Sequence, residues 1–173
     1  KMLEQMAELV LDAGAMDVLV ADTPAKIKDA WAARSSFLEA IMHETKLLDE
    51  CDVVVPVNKI ADYLDFVNKT GEDCGLVIKS FGHAGDGNLH IYQCSNDLEE
   101  EEFKSRVDKF FEIIYKEAAS CGGLVSGEHG IGSGKIKYLV DSVGETNMAL
   151  MEGIKRVFDP KMILNPGKVC YRL

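Results

Sequence analysis

Apolar positions along this 173-residue chain follow two periods. Where they recur every three or four residues the pattern predicts helix, and where they run together between turn residues it predicts strand. The first ten residues, Lys1 to Val10, already sit on helical spacing. Residues 16–20 form a short apolar run that reads as a strand and ends at Asp22-Thr23-Pro24. Thr23 is placed to cap the next helix, with Pro24 at its first position. That helix is expected to reach about Glu44, with Ile27, Ala30, Trp31, Leu38 and Ile41 facing inward. Strands are expected at 52–57, 75–81 and 88–94, with a helix at 58–70 between the first two. A helix over 98–120 turns Phe103, Val107, Phe110, Phe111, Ile114 and Ala118 inward. A short strand or loop at 123–126, a helix at 145–158 and a coil tail complete the order. The segments alternate without repeats. The fold class is α+β: a ferredoxin-like antiparallel sheet with helices on one face, plus a C-terminal helical extension.

Composition narrows the class. Apolar residues make up 47% and charged residues 28%, values of an ordinary globular domain. A formal net charge of -10 argues against nucleic acid as a partner. Five cysteines (Cys51, Cys74, Cys94, Cys121 and Cys170) form no CxxC pair. Their odd, scattered placing suits a reducing compartment, and with no signal peptide or long apolar run the expected location is cytoplasmic. A first helix without a cap ahead of it suggests that residues 1–173 are a domain of a longer polypeptide.

The histidines are the informative residues. There are four, and three lie in two segments, His83-Ala-Gly-Asp-Gly-Asn-Leu-His90 and Ser126-Gly-Glu128-His129-Gly-Ile-Gly132. His83 and His90 fall on two strands joined by a tight turn. Residues facing each other across such strands have Cβ atoms ~5 Å apart, close enough to hold one ion between two imidazoles. Glu128 is the natural third ligand, and two histidines with one carboxylate leave open positions of the kind a catalytic metal has. Gly127 and Gly130 relax the alternation of an extended chain, so that Glu128 and His129 can face one pocket. His129 then serves as a base, as a further ligand, or as a hydrogen-bond partner to one. The bland alternative is a set of ordinary turn and core histidines.

Arg34 projects from the apolar face of its helix, where an arginine needs an anionic partner. A substrate carboxylate or an internal Asp or Glu would serve equally. Residues 130–135, Gly-Ile-Gly-Ser-Gly-Lys, fail the phosphate-loop spacing at His129 and at Ile136; Lys135 remains free to approach an anion. The acidic run Asp97, Glu99, Glu100, Glu101 and Glu102 suits a solvated helix N-terminus.

Three stretches, residues 82–90, residues 127–132 and Asn165-Pro166-Gly167-Lys168, together resemble the C-terminal domain of FAD-linked 2-hydroxy-acid dehydrogenases of the vanillyl-alcohol-oxidase type. That family includes the flavin-bearing polypeptide of glycolate oxidase, D-lactate dehydrogenase and D-2-hydroxyglutarate dehydrogenase. Weaker agreement at Trp31-Ala32-Ala33-Arg34 and Asp52-Val53-Val54-Val55-Pro56 extends the resemblance over most of the chain. It implies a divalent metal of the zinc or manganese type on His83, His90 and Glu128, with His129 as the base. It implies Arg34, Asn88 and Tyr92 as substrate-binding, with Arg34 on the substrate carboxylate. Asn165 and Lys168 would face a flavin, the FAD itself being held mainly by an N-terminal domain outside this chain. The implied substrate is a small D-2-hydroxy acid of the glycolate or D-lactate type. The implied electron acceptor is an electron-transfer flavoprotein, an iron–sulfur subunit or a quinone. One departure stands out: some members carry lysine where this chain has Glu50, a position placed to tune substrate choice. Two other functions fit the same residues. A metal-dependent hydrolase would act without flavin, and a non-catalytic interaction module would bind no metal.

Overall fold

The structure, a computed structural model, describes residues 2–170. The chain divides into two compact units, Lys1–Glu44 and Thr45–Leu173. The first unit is helical: α1 (Met2–Asp12), α2 (Pro24–Ser35) and α3 (Phe37–Glu44). Thr23 caps α2 as its sequence predicts, its hydroxyl accepting from the Lys26 amide at 3.3 Å, with Pro24 in the first turn. Three expectations for this unit are corrected. Residues 16–20 form no strand, and Met16 and Leu19 stand in solvent; a lone strand leaves its backbone groups without a ladder. The helix over 24–44 is broken at Ser36. The Ser35 and Ser36 hydroxyls bond back to the carbonyls of Trp31 and Ala32, a pattern that bends helices. Finally, α2 buries no residue: Ile27 and Trp31 are exposed and Arg34 is half-buried, while Ile41 on α3 is covered.

The second unit holds the sheet. Strands β1 (Leu47–Val54), β2 (Val77–His83) and β3 (Asn88–Ser95) pair antiparallel in the order β1-β3-β2. An isolated bridge between Val54 and Leu124 stands beside β1, where a ferredoxin-like plait has its fourth strand. The expected α+β class therefore holds, with the last strand reduced to one bridge. Helix α4 (Ile60–Cys74) follows a short 3-10 turn, and α5 (Glu100–Ser120) follows the sheet. The first turn of α5 carries Glu100, Glu101 and Glu102, where the helix dipole favours them.

Alternation along β3 sorts the two faces. Leu89 and Ile91 join Val53 and Cys51 of β1 in a core with Val67 of α4 and with Phe103, Val107, Phe110 and Ile114 of α5. Each such side chain, fully buried, contributes roughly 1.5–3 kcal/mol. Asn88, His90 and Tyr92 point to the opposite face, with Glu50 and Asp52 from β1 and Phe81 and His83 from β2. Helix α6 (Ile136–Phe158) starts nine residues before its expected position and kinks at Gly144, whose φ is 76°. Residues 145–158, the expected helix, are the part beyond the kink. Four of the five cysteines are buried and all are free. Burial pushes the Cys51 thiol up to about 12, so it behaves as a small apolar residue.

Candidate metal centre

The site grows from the sheet face opposite the helices. The β2–β3 turn is closed by His83, whose carbonyl accepts from the amides of Asp86 and Gly87. Gly87 has φ of 81°, and a Cβ there would meet the Val55 carbonyl oxygen at 1.9 Å, so the turn needs glycine at that point. The register pairs His83 with Asn88 and His90 with Phe81. His83 and His90 are thus diagonal neighbours on one face, rather than directly opposite as expected. Their ring centroids are still 5.7 Å apart, because imidazoles lean along the strands.

The second segment reaches the site by a different route. Asp52, directly opposite His90 in the β1–β3 ladder, is fully buried. Its carboxylate accepts the amides of Gly127 (2.7 Å), Glu128 (2.8 Å) and His129 (3.0 Å), together with the Ser126 hydroxyl. Lys135 completes the set by a short ion pair. Residues 126–129 are therefore wrapped round one anion, their amides forming a concave nest. Burial alone would push the Asp52 carboxyl up, but the Lys135 hydrogen bond and the His129 and Glu128 amides outweigh it. The group is held well below the usual carboxylate range. Lys135, read from sequence as approaching an anion, finds it inside the protein.

The wrapping turns Glu128 and His129 toward one space, as their flanking glycines suggested. Glu128 Oε1 lies 2.9 Å from His90 Nε2 and 3.7 Å from His83 Nε2. The His129 ring stacks on that of His90 with centroids 4.9 Å apart, and its Nε2 is 4.0 Å from Glu128 Oε1. Burial of His90, with His129 adding to it, holds its imidazole pKa down against the opposing pull of Glu128 and Glu50. A neutral imidazole is the form that lends a lone pair to a metal. The donor set fits a small divalent cation: bonds of 2.0–2.1 Å in a tetrahedron give ligand–ligand edges of about 3.4 Å, the middle of the separations found.

Other expected residues fall out unevenly. Asn88 lies on the site face, buried, its side chain against Gly127, where a Cβ would meet Asn88 Oδ1 at 2.3 Å. Tyr92 is buried on the same face and stacks on Phe81 with centroids 5.1 Å apart. Lys168 lines a cavity of about 550 Å³ together with Glu50, His129 and Lys135. The tail reaches it because the Val169 amide donates to the Gly132 carbonyl at 2.7 Å. Asn165 sits in an exposed turn of that tail, away from the residues lining the cavity. Arg34 belongs to the helical unit. Two residues escaped the chemical reading of the sequence. Asp52 was legible only as part of a strand, although a lone aspartate before a run of valines is an oddity that burial explains. Glu50 was noted for its departure from lysine, not for its position: its Oε1 is 3.0 Å from His129 Nδ1 and 3.7 Å from His90 Nδ1.

No helix among the described residues is long and apolar enough to cross a membrane. Residues 1–169 match the family model "FAD linked oxidases, C-terminal domain". The chain is 61% identical over 171 residues to a D-lactate dehydrogenase of Anaerostipes hadrus, covering 99% of the chain and 36% of that protein. It is 37% identical to a D-lactate dehydrogenase of Archaeoglobus fulgidus, covering 98% of the chain and 37% of that protein. It is 34% identical to the glycolate oxidase subunit GlcD of Bacillus subtilis, covering 96% and 35%. The chain thus spans about a third of the length of these relatives. With the match running through the histidine hairpin, the Glu128-His129 loop and the tail alike, the chain belongs to the family of FAD-linked oxidase C-terminal domains.

Proposed function

We propose that this chain is the substrate- and metal-binding part of a flavin-dependent enzyme that oxidises a small D-2-hydroxy acid to the 2-oxo acid. The observation that carries the reading is the convergence of His83 Nε2 and His90 Nε2 on Glu128 Oε1, at 3.7 Å and 2.9 Å, with the His129 ring stacked alongside. The relatives named as D-lactate dehydrogenases make D-lactate the first substrate to try, with glycolate next. When bound, a divalent cation of the zinc or manganese type would lower the pKa of the substrate hydroxyl, and FAD, held mainly outside this chain, would take up the C2 hydride.

The chain's own residues do the rest. His83, His90 and Glu128 would hold the cation, a donor set that leaves room for substrate oxygen. His129 receives the hydroxyl proton on Nε2, so that the C2–H bonding pair can depart as the carbonyl forms. The family resemblance assigns the substrate carboxylate to Arg34, and Asn88 and Tyr92, on the site face of the sheet, would border the substrate. Lys168, which lines the same cavity as His129, would face the flavin. Turnover would need an acceptor for the two electrons, an electron-transfer flavoprotein, an iron–sulfur subunit or a quinone.

The test uses the full-length flavoprotein. D-lactate should bleach bound FAD, metal stripping should abolish the bleaching, and zinc or manganese should restore it. His129→Ala should lower kcat by about 10²-fold or more, the scale of a lost general base, whereas Arg34→Ala should raise KM. Bleaching that survives both metal stripping and His129→Ala would sink the mechanism. A KM unmoved by Arg34→Ala would remove Arg34 from it.

A further inference from the structure

Glu50 is the residue for which neither the metal triad nor the base accounts. It lies on the edge strand, on the site face, two positions from Asp52. Its Oε1 is buried and has no hydrogen-bond partner among the described residues, and the same is true of His90 Nδ1. The two orphans face each other at 3.7 Å, and His129 Nδ1 stands 3.0 Å from the same oxygen. A buried acceptor and a buried donor left unmade are each unfavourable, and a small rotation of Glu50 closes both contacts. Both imidazoles, meanwhile, present their Nε2 atoms to Glu128, at 2.9 Å and 4.0 Å.

From this geometry we infer that Glu50 is a positioning residue that accepts Nδ1–H from His90 and His129 together, fixing both rings with their Nε2 lone pairs toward the metal and the substrate. A free neutral imidazole settles with its proton on Nε2, which would block coordination at His90 and proton uptake at His129. A carboxylate behind Nδ1 reverses that choice and raises ligand basicity. Asp52, the other carboxylate that β1 turns to the site face, is spent on the 127–129 amides, the Ser126 hydroxyl and Lys135.

The metal half of this inference rests on the function proposed above, but its tautomer half does not, and the experiment separates them. The ¹⁵N-labelled full chain is examined by long-range ¹⁵N–¹H correlation, and zinc affinity is measured by calorimetry. Zinc-loaded wild type should carry Nδ1–H on both His90 and His129, and metal-free wild type should carry it on His129, whose Nδ1 lies 3.0 Å from Glu50 Oε1. Glu50→Leu should move His129 to Nε2–H and weaken zinc binding by about 10–100-fold. Glu50→Asp should retain the wild-type tautomers. Should Glu50→Leu fail to fold, the nearly isosteric Glu50→Gln should shift zinc affinity in the same direction, because a neutral amide oxygen is the weaker acceptor. Unchanged tautomers and affinity in a folded Glu50→Leu would overturn the inference. Zinc that displaces Nδ1–H from His90 and His129 would overturn it as well, since Glu50, His90 and His129 would then hold the ion themselves. If wild type bound no zinc yet showed the Nδ1–H tautomer on His129, the metal reading would fail and the role of Glu50 at that ring would stand.

Discussion

The two segments that build the site are held by opposite means. His83 and His90 sit on strands, and their placement is shared among the ladder bonds that β3 makes to both neighbours along its whole length. Glu128 and His129 sit on a loop whose placement depends on one side chain, the buried Asp52 carboxylate. A ladder distributes the work over many weak bonds. The loop concentrates it in one anion, whose loss would strand three amides, a hydroxyl and an ammonium at once. Precision in the first half is redundant, and in the second it is not.

Asp52→Ala should break the comparison most sharply. Removing one partner of a buried ion pair leaves the other uncompensated, at about 3–5 kcal/mol. Urea unfolding should show that loss, and residues 126–135 should lose amide protection while β3 keeps it. Equal loss of protection in both segments would show that the loop is not independently held. Acid offers a milder probe of the same carboxylate. Its folded pKa lies below its unfolded value, so its stabilisation is fully present above the ordinary aspartate pKa of ~3.9 and is lost as pH falls through the folded value. Stability should therefore decline below about pH 4, with a smaller slope in Asp52→Asn. Gly87→Ala challenges the ladder side. A positive φ costs an alanine about 1–2 kcal/mol before the Val55 carbonyl clash is added; denaturation should show a loss of that order, with the hairpin, rather than the loop, losing protection. His83→Ala should do least to the fold, within about 0.5 kcal/mol, because the side chain is half-exposed. Zinc titration of the same variant should nevertheless lose its saturable site. A drop in stability without loss of binding would make His83 a structural residue.

The helices and the sheet were legible because their apolar faces repeat. Phe103, Val107, Phe110 and Ile114 read as an inward stripe and are one. What failed did so for physical reasons. The apolar run at 16–20 has the composition of a strand but no partner, and α2 has an apolar face that is not buried. β1 begins at Leu47, five residues before its expected start, because Asp49, Glu50 and Asp52 disguise its alternation. Two of those polar residues serve the site face, which is where a local rule is expected to yield to function. The early half of α6 was hidden by Gly134, Ser142 and Gly144, which punctuate the helical pattern. In the candidate site, the hairpin setting of His83 and His90 and the turning of Glu128 and His129 toward one space could be read directly. The diagonal register, the Asp52 nest and the seat of Glu50 between two imidazoles could not, because each depends on which β1 residue faces which β3 residue.

The reduction of the fourth strand to the Val54–Leu124 bridge has a consequence for self-association. Along the rest of β1, the described residues offer no further ladder partner on that side, so the strand presents a free edge of the kind that recruits a copy of itself. The sequence of β1, Leu-Leu-Asp-Glu-Cys-Asp-Val-Val, sets three acidic residues into an otherwise sticky segment. Asp49 is exposed on that edge, and in an antiparallel pairing centred on it would stand against Asp49 of the incoming copy, a like-charge contact that opposes an intermolecular sheet. The same strand that turns two carboxylates to the site face thus carries a third that disfavours edge-to-edge pairing.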